Sequence, residues 1–153
     1  MIPAYETLVR YWGDTGSGIV VAARDEEEVA ALEAKYALRL PDDFRAYLLK
    51  GCPAESNLDW DNACTEWWEL SRIKTLRDEY EHGVENSALR GFEDRYIFFA
   101  DAFIWCWAWA ICCAEGERYG HVALINGAKD PFVATSFTAF VEQYVADPNS
   151  VSH

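Results

Sequence analysis

The sequence predicts an α+β domain in which a central antiparallel sheet is flanked by N-terminal and C-terminal helices. Three observations carry that expectation. Apolar residues recur at helical spacing behind cap signals through the first third of the chain. Between Tyr96 and Thr135 the pattern changes to strand-like runs separated by short turns. A last helical pattern follows Ser136.

The first helix is expected over Pro3–Trp12, with Pro3 near its start and Leu8, Val9 and Trp12 at helical spacing. Gly13, Gly16 and Gly18, with Asp14 and Ser17 among them, form a loop. Their order is not G-x-G-x-x-G and no strand precedes them, so they read as a connection and not as a phosphate cradle. Asp25 is placed to cap a second helix, and Glu28 completes a capping-box pattern. Glu26, Glu27 and Glu28 also suit the positive end of the helix dipole. The apolar stripe of that helix is Val29, Leu32 and Tyr36. Leu40-Pro41 then opens a third helix carrying Phe44, Tyr47 and Leu48, which Gly51 is placed to stop. Trp67-Trp68-Glu69-Leu70 leads to Ser71, expected to cap a helix bearing Ile73, Leu76 and Tyr80.

Tyr96–Cys113 reads as strand, in two pieces around Asp101. Trp105, Trp107 and Trp109 alternate with Cys106, Ala108 and Ala110, the period of two of a strand. Residues 96–114 are long enough to span a bilayer, but this alternation makes them a buried strand. Glu115-Gly116-Glu117 is a turn, and Tyr119–Ile125 a further strand with His121 inside it. Asn126-Gly127 opens a five-residue hairpin loop, and Phe132-Val133-Ala134-Thr135 returns. The final helix places Phe137, Phe140, Val141 and Tyr144 on one face and ends at Asp147-Pro148.

At 153 residues the chain is expected to be a single domain, 1–153, able to bury roughly 70% of its unfolded surface. It is 51% hydrophobic with 23 aromatic residues, too apolar for disorder despite a net charge of −13. That charge disfavours nucleic acid and anionic membranes, which are bound through Lys and Arg, and permits a basic partner. No secretory signal is visible, and five cysteines without C-x-x-C spacing suggest neither a zinc site nor a disulfide framework. A reduced, cytoplasmic protein is the simple reading.

No catalytic motif stands out. His82 in its acidic stretch, His121 with no identifiable partner and the final His153 read as solvated or hydrogen-bonded, not as catalytic bases, and Cys106, Cys112 and Cys113 lie in an apolar run that makes thiols inert. Asp59-x-Asp61 lacks the Gly and closing Glu of a calcium loop, and Asp42-Asp43 suits a helix start. Asp101, alone in an apolar run, is expected at a bulge that exposes it. No enzyme, cofactor or metal is inferred. The feature left over is charge distribution. Residues 54–94 hold eleven acids and four bases, net −7. Within them Glu55, Asp59, Asp61 and Glu66 surround Trp60, which either tucks onto the core or forms a partner-binding hot spot with a polar rim. These five residues are the candidate partner-binding site.

Several landmarks occur in a familiar order: Glu28-Val29-Ala30-Ala31-Leu32-Glu33, then Leu38-x-Leu40-Pro41-Asp42-Asp43-Phe44-Arg45-Ala46-Tyr47-Leu48. Trp67-Trp68-Glu69-Leu70, Phe98-Phe99-Ala100-Asp101, the Trp-rich strand and Val133-Ala134-Thr135-Ser136-Phe137-Thr138-Ala139-Phe140 follow. From about Asp25 to Asp147 the chain resembles the SUKH superfamily. The resemblance implies an α+β fold and no shared catalytic constellation. Many bacterial members are immunity proteins that neutralise a cognate toxin, often a nuclease, which here would be a basic protein meeting an acidic surface. A eukaryotic branch, including a fungal regulator of cell-wall synthesis, implies the alternative of a regulatory or scaffolding module. The family's Gly-rich stretch after the Leu-Pro helix is reduced here to Gly51-Cys52-Pro53.

Overall fold

The computed structural model describes residues 2–55, 60–84, 86–126 and 130–152. Helix α1 (Ala4–Asp14) starts behind Pro3, whose missing N–H costs nothing there, and buries Ala4, Leu8 and Trp12. Helix α2 (Glu26–Tyr36) has the expected capping box, with Asp25 N–H donating to Glu28 at 2.9 Å. It ends at Ala37 in the left-handed region, and Arg95 holds the Ala37 carbonyl at 2.9 Å. Helix α3 (Asp42–Lys50) follows Pro41 and buries Phe44, Tyr47 and Leu48. Gly51 ends it where the chain passes close to α1: a Cβ there would lie 2.8 Å from the Tyr5 Cβ. Helix α5 (Phe137–Ala146) is capped by the Ser136 hydroxyl, which accepts from Ala139 N–H at 2.9 Å. Asp43 joins α3 to α5, accepting from both the backbone N–H and the hydroxyl of Thr138 at 2.8 Å.

Five antiparallel strands form a meander in the order β1-β2-β3-β4-β5. They are β1 (Thr65–Trp67), β2 (Tyr96–Ala102), β3 (Trp107–Cys112), β4 (Val122–Ile125) and β5 (Phe132–Ala134). The α+β fold is as the sequence predicts. A bulge interrupts β2 between Phe98, opposite Ala110, and Ala100, opposite Trp109. Phe99 is the extra residue, and both it and Ala100 turn toward the helices. One face of the sheet therefore carries Trp67, Phe99 and Trp109 against Phe44, Phe137, Phe140 and Tyr144, with ring centroids 5.2–6.2 Å apart. On the other face, alanines at 108, 110 and 123 leave room for Phe98, Trp68, Trp105 and Tyr80.

The segment covering that second face departs from expectation. Ser71 caps no helix. It sits inside a single 3₁₀ turn, Leu70–Arg72, whose cap is Glu69, and Ile73 is extended. Helix α4 (Leu76–Glu79) starts later, behind Thr75 and a Thr75/Asp78 capping box, because Thr75 bridges to Ile97 and holds the preceding backbone straight.

The 96–113 run also divides differently. Asp101 lies within β2, opposite Ala108 and only 4% exposed, and the bulge comes before it and does not expose it. The break falls at residues 103–106, so Trp105 and Cys106 belong to a turn and do not continue the Trp107/Trp109 face. Cys106 is exposed, whereas Cys52, Cys112 and Cys113 are buried; burial pushes the Cys52 thiol up to about 12 and also raises Cys113. All five cysteines are free. His121 precedes β4, with its carbonyl accepting from Cys112 N–H at 2.9 Å. The Asn126-Gly127 loop lies partly outside the described residues, as does His153.

Candidate protein-interaction surface

The acid-rich segment resolves into two kinds of carboxylate. The first kind is internal. Asp61 is 5% exposed: its Oδ1 accepts from Ala63 and Thr65 N–H at 2.9 and 3.0 Å, and its Oδ2 from Trp67 Nε1 at 3.0 Å and from the Tyr144 hydroxyl. Burial and that carboxylate together raise the Tyr144 phenol. Asp61 thus anchors the loop before β1 to α5 and is not available to a partner, which corrects its place among the candidate contacts. Glu93, 2% exposed, accepts from Val84 and Gly91 N–H at 3.1 and 2.7 Å and lies 3.5 Å from Arg77. Burial opposes its charge, but these donors outweigh burial and hold it below the usual carboxylate range.

Asp101 is the third internal carboxylate. It accepts from Trp68 Nε1 at 2.7 Å and Trp105 N–H at 3.0 Å, with Arg72 at 3.4 Å. Arg72 also bonds Glu66 at 2.6 Å and sits over the Trp68 ring, its Cζ 4.2 Å from the centroid. Glu66 is therefore ion-paired at the edge strand β1. Glu55 is exposed, Trp60 is half-buried, and Asp59 lies outside the described residues.

The feature that sequence reading missed is the β2–β3 tip. Phe103, Ile104 and Trp105 are consecutive left-handed residues, with φ of 51°, 53° and 69°, and none is glycine. Such a conformation costs about 1–2 kcal/mol per residue, and more discomfort falls on a β-branched side chain. It persists because it is held from several sides. Phe103 N–H donates to the Cys64 carbonyl and Cys106 N–H to the Ala102 carbonyl, both at 3.0 Å. Trp105 packs against both Trp68 and Phe98 and donates its Nε1 to Glu79 at 3.2 Å. Lys74, bonded to Glu79 at 2.5 Å, holds that carboxyl below its usual range against the opposing effect of burial. The outcome is that Phe103 is 46% and Ile104 77% exposed on a rigid support. The two internal acids Asp61 and Asp101 lie at the roots of this surface, beneath Cys64 and Trp105.

Behind the tip, residues 62–65, Phe103, Trp107, Pro148, Asn149 and Ser152 line a partly open cavity of about 320 Å³. Among the described residues, no cluster of three or more His, Cys, Asp or Glu side chains is placed to hold a metal, and no helix is long and apolar enough to cross a membrane. The arrangement is suited to contact with another protein: an exposed apolar point held by hydrogen bonds and ring packing, near the edge strand that carries Glu66. The family model described as SMI1 / KNR4 family (SUKH-1) matches residues 24–143. No curated protein matches the chain.

Proposed function

The chain belongs to the SMI1 / KNR4 family (SUKH-1), and on that premise we propose that it is an immunity-type protein that binds and neutralises a cognate toxin with a basic surface. The observation that carries this reading is the exposed, hydrogen-bonded Phe103–Ile104 tip on a chain of net charge −13, with Glu66 on the neighbouring strand β1. Negative charge speeds encounter with a basic protein, and an apolar anchor that is already ordered slows its departure. Neutralisation then follows from covering the toxin's working face, with no reaction and no cofactor. The five free thiols suit a reducing, cytoplasmic setting.

The test is co-purification of the tagged protein with products of neighbouring genes at low and high salt. A toxin retained at low salt, released at high salt, and lost with Ile104→Asp is expected. Retention of no basic protein at low salt overturns the reading. A retained protein without toxic activity would favour the regulatory module instead.

A further inference from the structure

We infer that the cavity behind the hairpin tip is a socket for one apolar side chain of a basic protein partner, flanked on that partner by lysine or arginine. This rests on the binding role proposed above and adds where and by what chemistry the partner is gripped. At about 320 Å³ the cavity is at the small end for ligand sites and suits a single side chain. Phe103, Trp107, Trp109 and Pro148 supply apolar wall, and the exposed Asn62 and Asn149 stand at its rim. Thr65 and Tyr144 are the polar groups of its buried base, and they are already satisfied: the Tyr144 hydroxyl donates to Asp61, with its oxygen 2.8 Å from the Thr65 hydroxyl. An apolar occupant therefore leaves these two hydroxyls paired.

Charge decides the partner. No charged side chain lines the cavity. Of the acids next to its lining segments in the chain, Asp61 and Asp101 are buried, Glu66 is ion-paired, and Asp147 is exposed beside Pro148 at the rim. Arg72 is shared between Glu66 and Asp101, while Asp61 and Asp147 are held by hydrogen-bond donors. A neutral well with Asp147 at its rim, on a chain of net charge −13, favours an apolar residue with basic neighbours. A second copy of this chain would bring the same acids and a further −13. The Phe103 wall is fixed by the left-handed turn before anything binds, so little ordering is left to oppose association.

The experiment uses two fluorescent ten-residue peptides of equal charge, with Phe or Ala at the centre and lysines on both sides, titrated by anisotropy. The protein is tested as wild type, as Asn149→Trp, which puts a ring at the cavity mouth from an exposed position, and as Val20→Trp, a distant exposed control. Thermal unfolding checks each fold. The Phe peptide is expected to bind at least tenfold tighter than the Ala peptide, with that preference lost only in Asn149→Trp. No binding, equal binding of the two peptides, or an unchanged preference in Asn149→Trp overturns the socket. So does a wild-type dimer in sedimentation that Asn149→Trp dissolves, because the occupant is then a second copy. Each of these leaves the toxin-binding role intact, since that role falls only if no basic protein is retained at low salt.

Discussion

The two faces of the sheet are covered by different means. On one, helices α1, α3 and α5 lay aromatic rings against Trp67, Phe99 and Trp109, and burial is nearly complete. On the other, a segment with one four-residue helix does the covering, tied down by Arg72 to Glu66 and Asp101, Lys74 to Glu79, and Arg77 to Glu93 and Asp94. A long helix satisfies its backbone internally and can cover a face by packing alone. An irregular segment carries loose N–H groups, and buried carboxylates accept them, as Glu93 does from Val84 and Gly91. Part of the −7 of residues 54–94 is therefore scaffold, not docking surface.

Phe140→Ala probes the packed face and has the largest expected effect. It should cost about 3–5 kcal/mol, read from the urea midpoint. A loss below about 1 kcal/mol would show that the rings on this face do not interlock. Asp101→Asn probes the carboxylate-held face. The amide keeps the shape but gives up charge beside Arg72 and turns a donor toward Trp68 or Trp105, so about 2–3 kcal/mol should be lost. An unchanged midpoint would mean that the second face does not depend on its internal acids. Ile104→Asn has the smallest effect and the opposite sign. Asn tolerates the left-handed region and Ile104 is mostly exposed, so a gain of about 0.5–1 kcal/mol should raise Tm slightly. A fall in Tm would show that the Ile104 side chain supports the turn.

The same contrast explains what was legible beforehand. Helices α1, α2, α3 and α5 are local objects: the Asp25/Glu28 box, Pro41 and Ser136 lie within a few residues of what they organise. The second face is built from distant pairs. Nothing near Trp68 in the chain announces Asp101, and the helix-covered face has such a pair too, Asp61 with Tyr144. The Trp105-Cys106-Trp107 alternation looks like uninterrupted strand because left-handed turns are ordinarily marked by Gly or Asn, and this one has neither. The Thr75/Asp78 box is itself local and legible in the chain, whereas Ser71, the expected cap, lies in the turn before it. Of the candidate contacts, Glu55 is exposed, Glu66 is paired at an edge, and Asp61 is inside. Charge composition alone does not separate those fates.

The bulge at Phe99 has a consequence for how related chains can differ. Because two residues of β2 oppose Trp109, every position after it is out of phase with a regular strand. Restoring regular pairing with all residues kept would send Asp101 into the aromatic layer and Ala100 to the tip side. Dropping Phe99 alone would keep Asp101 where it is. Insertions and deletions ahead of Ala100 thus count by parity: what matters is whether the number of strand residues between Phe98 and Asp101 stays matched to the pleat, not how many there are.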